Sequence, residues 1–406
     1  MQTVSLCMIV KNEGSNLNRC LMAARPIVDE IIVVDTGSTD NTKEIAKQFG
    51  SRLFDFIWTN NFSDARNFSL SQATSQWILS LDADELISAS DHVKFLNLVR
   101  QSEHRSTAFQ FELRNYVTYP NVVGWIPNQG QYSAEETGTG WYPDEVRAVK
   151  LFPNMKDIHF IYSIYEDVIP SILKLGLKIK KTDIAIHHYG VLTDSLVNIK
   201  LERDLEIMRK DASLKKEQSL VDIIHIAKHL SLLGRYVEAL QYWEQIVHRS
   251  DEIQDAHYYL GHTYFSLGRY RDALMVLRKE VSKHSPSNDA IVLYAQAELC
   301  AGDIETAVNC LEELLHREPL HALAMFPLAI AYFCTSRKIA AIELVDKLRN
   351  MNFGCAHYFS EFGKILISAG RINSAILLLQ SAVESNNTNA DTSVLLAQCY
   401  QQQMAK

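Results

Sequence analysis

Two hydrophobic rhythms divide this chain of 406 residues. In the first part, short apolar runs alternate with stretches in which apolar residues recur every three or four positions. Val4–Val10 and 31–34 are such runs, 77–81 is a third, and 109–113, 148–152 and 184–186 are further ones. Runs of this kind suit strands buried on both faces. The stretches at about 15–24, 41–49 and 64–73 carry the helical spacing. Strand alternating with helix predicts an α/β domain over 1–192, with a doubly wound, mostly parallel sheet. A charged helical pattern covers 193–216, where Asp194 can cap the first turn. It makes 193–218 a linker helix, and from 219 onward the chain reads as all-α.

Within 219–406, small residues recur every 34 positions: Ala227, Gly261, Ala295, Ala329, Gly363 and Ala397. A second series with that period is Gly234, Gly268, Gly302, Ser336 and Gly370, and a third is Ala239, Ala273, Ala307, Ala341 and Ala375. Each unit therefore reads as a helix with a small residue at a close crossing, a glycine ending it, and a second helix with alanine at the next crossing. Tyr236, Trp243, Tyr264, Tyr270 and Tyr332 fill the space between, and Pro319 falls where a new helix can begin. Period and residue order resemble the tetratricopeptide repeat. The resemblance implies five units over about 219–388, a capping helix at about 391–402, and a solenoid with a concave groove. Such a groove can take an acceptor or a protein partner, and such an array can equally serve as a spacer or a homodimer contact.

Ligands of doubly wound sheets bind beyond the carboxyl ends of the strands. Lys11-Asn12-Glu13-Gly14 follow the first strand, Asp35-Thr36-Gly37-Ser38-Thr39-Asp40 the second, Asp82-Ala83-Asp84-Glu85 the run at 77–81, and His187-His188-Tyr189-Gly190 the run at 184–186. Neither G-x-G-x-x-G nor G-x-x-x-x-G-K-[ST] occurs at the first turn, which disfavours a dinucleotide-dependent dehydrogenase and a P-loop enzyme. Two carboxylates one residue apart at a strand end can instead turn one acid toward a ribose and the other onto a hard divalent cation, Mg²⁺ or Mn²⁺.

Four blocks, Met8-Ile9-Val10-Lys11-Asn12-Glu13, Asp35 to Asp40, Phe62-Ser63-Asp64-Ala65-Arg66-Asn67 and Asp82 to Glu85, together resemble glycosyltransferase family 2 with its GT-A fold. The closest resemblance is to the subgroup that carries tetratricopeptide repeats and includes peptide S-glycosyltransferases. That resemblance implies an inverting transfer of a hexose or N-acetylhexosamine from a UDP-sugar to a peptide, protein or glycan. It implies that Asn12 and Glu13 line the nucleotide pocket, Asp35 accepts from uracil, Arg66 lies near uridine or phosphates, and Asp82 meets the ribose. It places Mn²⁺ or Mg²⁺ on Asp84 and His188, and the alternation of side chains along a strand turns His187 the other way. The base falls in Tyr162-Ser163-Ile164-Tyr165-Glu166-Asp167, where the subgroup has a Val-His-Glu-like triplet. Tyr165 replaces the histidine, and Glu166, with Asp167 behind it, is the expected base. The stretch 116–144 reads as a long loop over the site, with Trp125 and Trp141 either stacking on sugar or anchoring the loop. The rival reading is a repeat scaffold with a degenerate transferase domain.

Composition narrows the setting. The net charge of −8 argues against a nucleic-acid partner, which needs a basic stripe. Seven cysteines without a C-x-x-C pair argue against a disulfide framework or zinc site. No apolar stretch reaches the roughly 20 residues of a transmembrane helix, and Val4–Val10 is not a signal peptide. A cytoplasmic location is the expectation.

Overall fold

The computed structural model describes residues 2–404 apart from 104, 119–123, 145–147, 191–193, 215–217, 251–252, 254, 336, 352–354 and 385–388. Expectations that fall on Thr193, Lys215, Lys216, Ser336 and the side chain of Asp194 lie outside the described residues. The chain divides into two compact units, one reaching residue 217 and one covering 218–406.

In the first unit, β1 (Val4–Val10), α1 (Leu17–Ala24), β2 (Glu30–Asp35), α2 (Thr42–Gln48), β3 (Arg52–Asp55), α3 (Phe62–Ser71) and β4 (Trp77–Ser80) follow one another. β1 pairs in parallel with β2 and β4, and β2 with β3. Then come β5 (Glu85–Ile87), α4 (His92–Gln101), β6 (Thr107–Val117), β7 (Ile126–Pro127), β8 (Gly140–Pro143), β9 (Val149–Pro153), α5 (Ile169–Lys174), β10 (Lys178–His188) and α6 (Asp194–Leu214). The sheet order is β3-β2-β1-β4-β9-β6-β10-β5, with β9 antiparallel to both neighbours and β10 parallel to β6.

Side chains alternate between two cores, as strand geometry demands. Leu6, Met8 and Val10 join Leu17, Leu21, Phe95 and Val99 on one face. Cys7 joins Ile32, Val34, Ile78, Phe152 and Ile172 on the other. This is the expected doubly wound GT-A arrangement. Because Val10 is level with Asp35 and Cys7 with Ser80, the carboxyl ends of β1, β2 and β4 emerge at one edge.

Part of the stretch 116–144 is a strand layer, since β8 pairs with β6 and β7. Arg114 holds it down: its guanidinium lies 4.7 Å from the Tyr132 ring and 4.6 Å from that of Trp141. Trp125 and Trp141 are both buried. They act as loop anchors rather than exposed sugar platforms.

The second unit runs through α7 (Leu220–Leu232), α8 (Tyr236–Arg249), α9 (Ala256–Ser266), α10 (Tyr270–Val281), α11 (Asn288–Ala301), α12 (Ile304–Arg317), α13 (Ala322–Cys334), α14 (Lys338–Asn350), α15 (Cys355–Ser368), α16 (Ile372–Glu384) and α17 (Ala390–Met404). The helices pair α7 with α8 through α15 with α16, and α17 packs on α15 and α16. The small residues from Ala227 to Gly363 are buried, as are Trp243, Leu277, Leu311, Val345 and Leu379 of the facing helices. Ala397 breaks the series and is exposed, because among the described residues no partner helix follows α17. Pro319 does not open a helix either: His321 Nδ1 accepts the Ala324 N–H and caps α13 two residues later. No helix among the described residues is long and apolar enough to cross a membrane.

Two glycines of one repeat separate close contact from backbone freedom. A Cβ on Gly261 would come within 2.6 Å of Leu277 Cγ, whereas Gly268 has open space but a φ of +72°. Gly261→Val is expected to cost about 2 kcal/mol by overpacking, and Gly268→Ala about 1 kcal/mol through its left-handed backbone. Urea unfolding of the two variants checks the order; equal losses would contradict it.

Candidate active site

The edge is built from three linked corners. In the first, Asn12 adopts a left-handed φ of 57°, a region asparagine tolerates better than most residues. Its N–H donates to Ser38 Oγ, and its Oδ1 accepts the Thr39 N–H at 2.8 Å, so Asn12 ties the first strand end to the second. Asp35 Oδ1 accepts the N–H groups of Gly37 and Ser38, while its Oδ2 is buried with no hydrogen-bond partner. Although burial works against it, the Ser38 hydroxyl, those backbone bonds and Lys43 hold the Asp35 carboxyl below its usual range. Glu13 is pushed the other way, upward, by burial despite the Asn16 amide, with Asp84 and Asp82 adding to the rise.

The second corner explains the block around Arg66. The Phe62 N–H donates to Ser163 O, and the Asn67 amide exchanges two hydrogen bonds with the Phe160 backbone. α3 thereby holds the segment 160–163 in place. Tyr162 and Tyr165 both have positive φ, 72° and 55°, a costly conformation for tyrosine. The turn delivers Glu166 to Arg66, whose Nε donates to Glu166 Oε1 at 2.6 Å and whose Nη2 donates to Asp82 Oδ1 at 2.7 Å. Burial opposes the charge on Arg66, but Asp82 and Glu166 more than offset it and raise its affinity for the proton. The Asp82 carboxyl is likewise held well below its ordinary value, burial being outweighed by Arg66 and then Lys150.

In the third corner, His188 Nε2 stands 3.4 Å from Asp84 Oδ2. Asn115 fixes the ring. The Asn115 amide N–H donates to Tyr142 O, so its Oδ1 is the atom that meets His188 Nδ1, at 2.6 Å. Nδ1 therefore carries a proton, and Nε2 is the atom turned to the carboxylate. A Cβ on Gly190 would lie 2.4 Å from Asp84 Oδ2 and 2.8 Å from His188 Nε2. Glycine keeps that space clear.

The structure thus brings Arg66, Asp82 and Glu166 into one bonded group and Asp84 and His188 into another, and the charges of Asp84 and Asp82 add to the upward push on Glu13. Asp167 stands apart. Its Oδ1 accepts the Ile169 N–H at the start of α5. His187 faces Tyr116, whose hydroxyl lies 2.7 Å from its Nδ1, on the opposite side of the strand from His188. Asn115 and Lys150 had escaped sequence reasoning, and Gly190 was read only as part of the block after the last strand, without a role. A polar or charged residue inside an apolar strand was the available signal for the first two. Among the described residues, no group of three His, Cys, Asp or Glu side chains is gathered closely enough to hold a metal without further ligands.

An α/β sheet with this acidic carboxyl edge, followed by a helical-repeat solenoid, has the architecture of a GT-A domain joined to tetratricopeptide repeats. Residues 5–163 match the family model for glycosyl transferase family 2. Residues 294–350 match the tetratricopeptide repeat model, and 232–314 match that of anaphase-promoting complex, cyclosome, subunit 3. A TPR repeat-containing protein of Synechococcus elongatus is 36% identical over 202 residues, 48% of this chain and 44% of the relative. Glycosyltransferase SunS of Bacillus phage SPbeta is 26% identical over 264 residues, 64% of this chain and 56% of the relative. The chain therefore spans less than two thirds of the length of these curated relatives. Glucosyl-3-phosphoglycerate synthase from Mycobacterium tuberculosis, solved with Mn²⁺ and UDP, aligns at a TM-score of 0.34 and 16% identity over 51% of this chain and 78% of its own.

Removing Arg66 leaves two carboxylates facing each other. Arg66→Ala is expected to cost about 2–3 kcal/mol, below the fully buried case, since the Asp82 side chain is 29% exposed. The stability that depressed carboxyls contribute is complete above about pH 4, the ordinary aspartate value, and is lost as pH falls toward their folded values. Arg66→Ala raises the folded value of Asp82, so the acid-unfolding midpoint should move to higher pH. An unchanged midpoint by circular dichroism would count against the bridge.

Proposed function

We propose that the N-terminal domain is an inverting glycosyltransferase that takes a hexose or N-acetylhexosamine from a UDP-sugar, with Mn²⁺ or Mg²⁺ held by Asp84 and His188. The acceptor is a peptide, protein or glycan, and the repeats hold that acceptor or a partner. The observation that carries this reading is the Asp84–His188 pair. Asn115 turns the Nε2 of His188 toward a carboxylate, and Gly190 keeps the adjoining space open. Nearby, Asp82, Asp84, Glu85 and Glu166 stand against Arg66 and Lys150. That acid excess suits a divalent cation, and a diphosphate would supply the oxygen ligands that two side chains leave open.

When bound, the cation stabilises negative charge on the departing diphosphate. Asp35 offers its unpartnered Oδ2 to the N–H of a uracil ring. Asp82 meets the ribose. Arg66, anchored on Asp82, adds fixed positive charge beside the donor, and it orients Glu166 as the general base for the acceptor. Asp167 is occupied at the start of α5, so the base role falls to Glu166 alone. Tyr165, in place of the subgroup's histidine, occupies the turn that presents Glu166 and leaves the Arg66–Glu166 bond intact.

Purified protein is expected to hydrolyse a UDP-sugar slowly with Mn²⁺ and to lose this on chelation. Asp84→Ala should fall to background. Glu166→Gln should lower transfer to acceptor by about 10²–10⁴-fold while UDP still binds. Equal turnover in wild type and Asp84→Ala would refute the metal role, and undiminished transfer by Glu166→Gln would remove it as base.

A further inference from the structure

Lys150 is the second residue of β9, between the buried Val149 and Leu151, and is itself 6% exposed. An ammonium in such a place is strongly unfavourable unless paired. Its Nζ meets both oxygens of Glu85, at 2.8 and 2.7 Å, and stands 3.9 Å from Asp82 Oδ2. Glu85, 2% exposed, has two further tasks. Its Oε2 accepts the Asp82 N–H at 2.9 Å, and its own N–H donates to Asp82 O at 3.0 Å, closing the D-x-D turn from both ends. As the first residue of β5, it is also the register partner of His188 on β10.

We propose that Lys150 is a positioning residue for donor and cation binding, clamping Glu85 so that the D-x-D turn and His188 keep their mutual register. The inference rests on the function proposed above. Asp84 lies between the two closed ends of the turn, and His188 lies across the strand pair from Glu85. Fixing Glu85 therefore fixes both proposed cation ligands. Lys150 does not reach ligand itself, because its ammonium is committed to Glu85 and buried beneath the turn. Without the ammonium, the buried Glu85 carboxylate loses the partner of both its oxygens, and the turn it closes loosens.

The test combines hydrogen exchange of ligand-free protein with titration of UDP and Mn²⁺, using Lys150→Met, Glu85→Gln and the double variant. In Lys150→Met, amides of 82–87 should exchange about tenfold faster while the rest of the sheet is unchanged, and UDP–Mn²⁺ should bind about tenfold more weakly, in the range seen when supports behind metal ligands are removed. KM should rise more than kcat falls, a split that general destabilisation does not produce. A glutamine at 85 is neutral and still accepts the Asp82 N–H, so the double variant should bind as Glu85→Gln does; this comparison also serves if Lys150→Met fails to fold. A folded Lys150→Met with wild-type exchange and affinity would overturn the proposal, as would losses that add in the double variant. Wild-type protein that binds no UDP–Mn²⁺ would instead refute the proposed function, with the exchange data still judging the clamp.

Discussion

A buried guanidinium between two carboxylates is the constraint on which the rest of the edge depends. Arg66 comes from a helix, Asp82 from the end of a strand, and Glu166 from a turn 100 residues further along the chain. Nothing in local propensity would bring these elements together. Carboxylates confined this closely repel one another unless a cation lies between them, and an arginine out of water must find partners. Each cost is relieved only by the other side of the bridge. The turn at 162–165 accepts two left-handed tyrosines in consequence, and α3 staples the segment before it in place.

The same logic of mutual compensation runs outward. Lys150 and Arg66 approach Asp82 from opposite oxygens. Asn115 supports His188 from behind, and the first two strand ends are knotted by Asn12, Ser38 and Thr39. Polar groups at this edge are largely bonded to one another. The buried Oδ2 of Asp35 is an exception. An unsatisfied buried acceptor is costly, and it is the atom to which the proposed function assigns the uracil N–H. The second unit is held by a different principle, steric fit repeated at a fixed period, with small residues set against large ones on neighbouring helices.

Legibility from the sequence followed the range of the interactions. Strands buried on both faces could be read because neighbouring residues share one environment, and β1, β2 and β4 stand close to the expected places. The repeats were legible because one steric requirement recurs in phase. β3 and β5 were missed. They have 4 and 3 residues, and pairing with β2 and β10 creates them where no apolar run announces a strand. The stretch 116–144 read as a loop because its strand pairs are short and its aromatic anchors carry no period. At the site, acids following apolar strands were visible, but the bonds of Arg66 to Asp82 and Glu166 join residues too distant in sequence to be read from it. Lys150 stayed hidden because a single lysine in an apolar strand gives no hint of its partner.

The central claim is that Asp84 and His188 hold one divalent cation together with a uridine diphosphate. Anomalous diffraction from crystals soaked in MnCl₂ and UDP addresses it directly. The account predicts a manganese peak within about 2.3 Å of both an Asp84 oxygen and His188 Nε2, with the diphosphate completing the shell. A manganese peak bound elsewhere on the edge, or ordered UDP with His188 still turned to Asp84 and no metal between them, would contradict it.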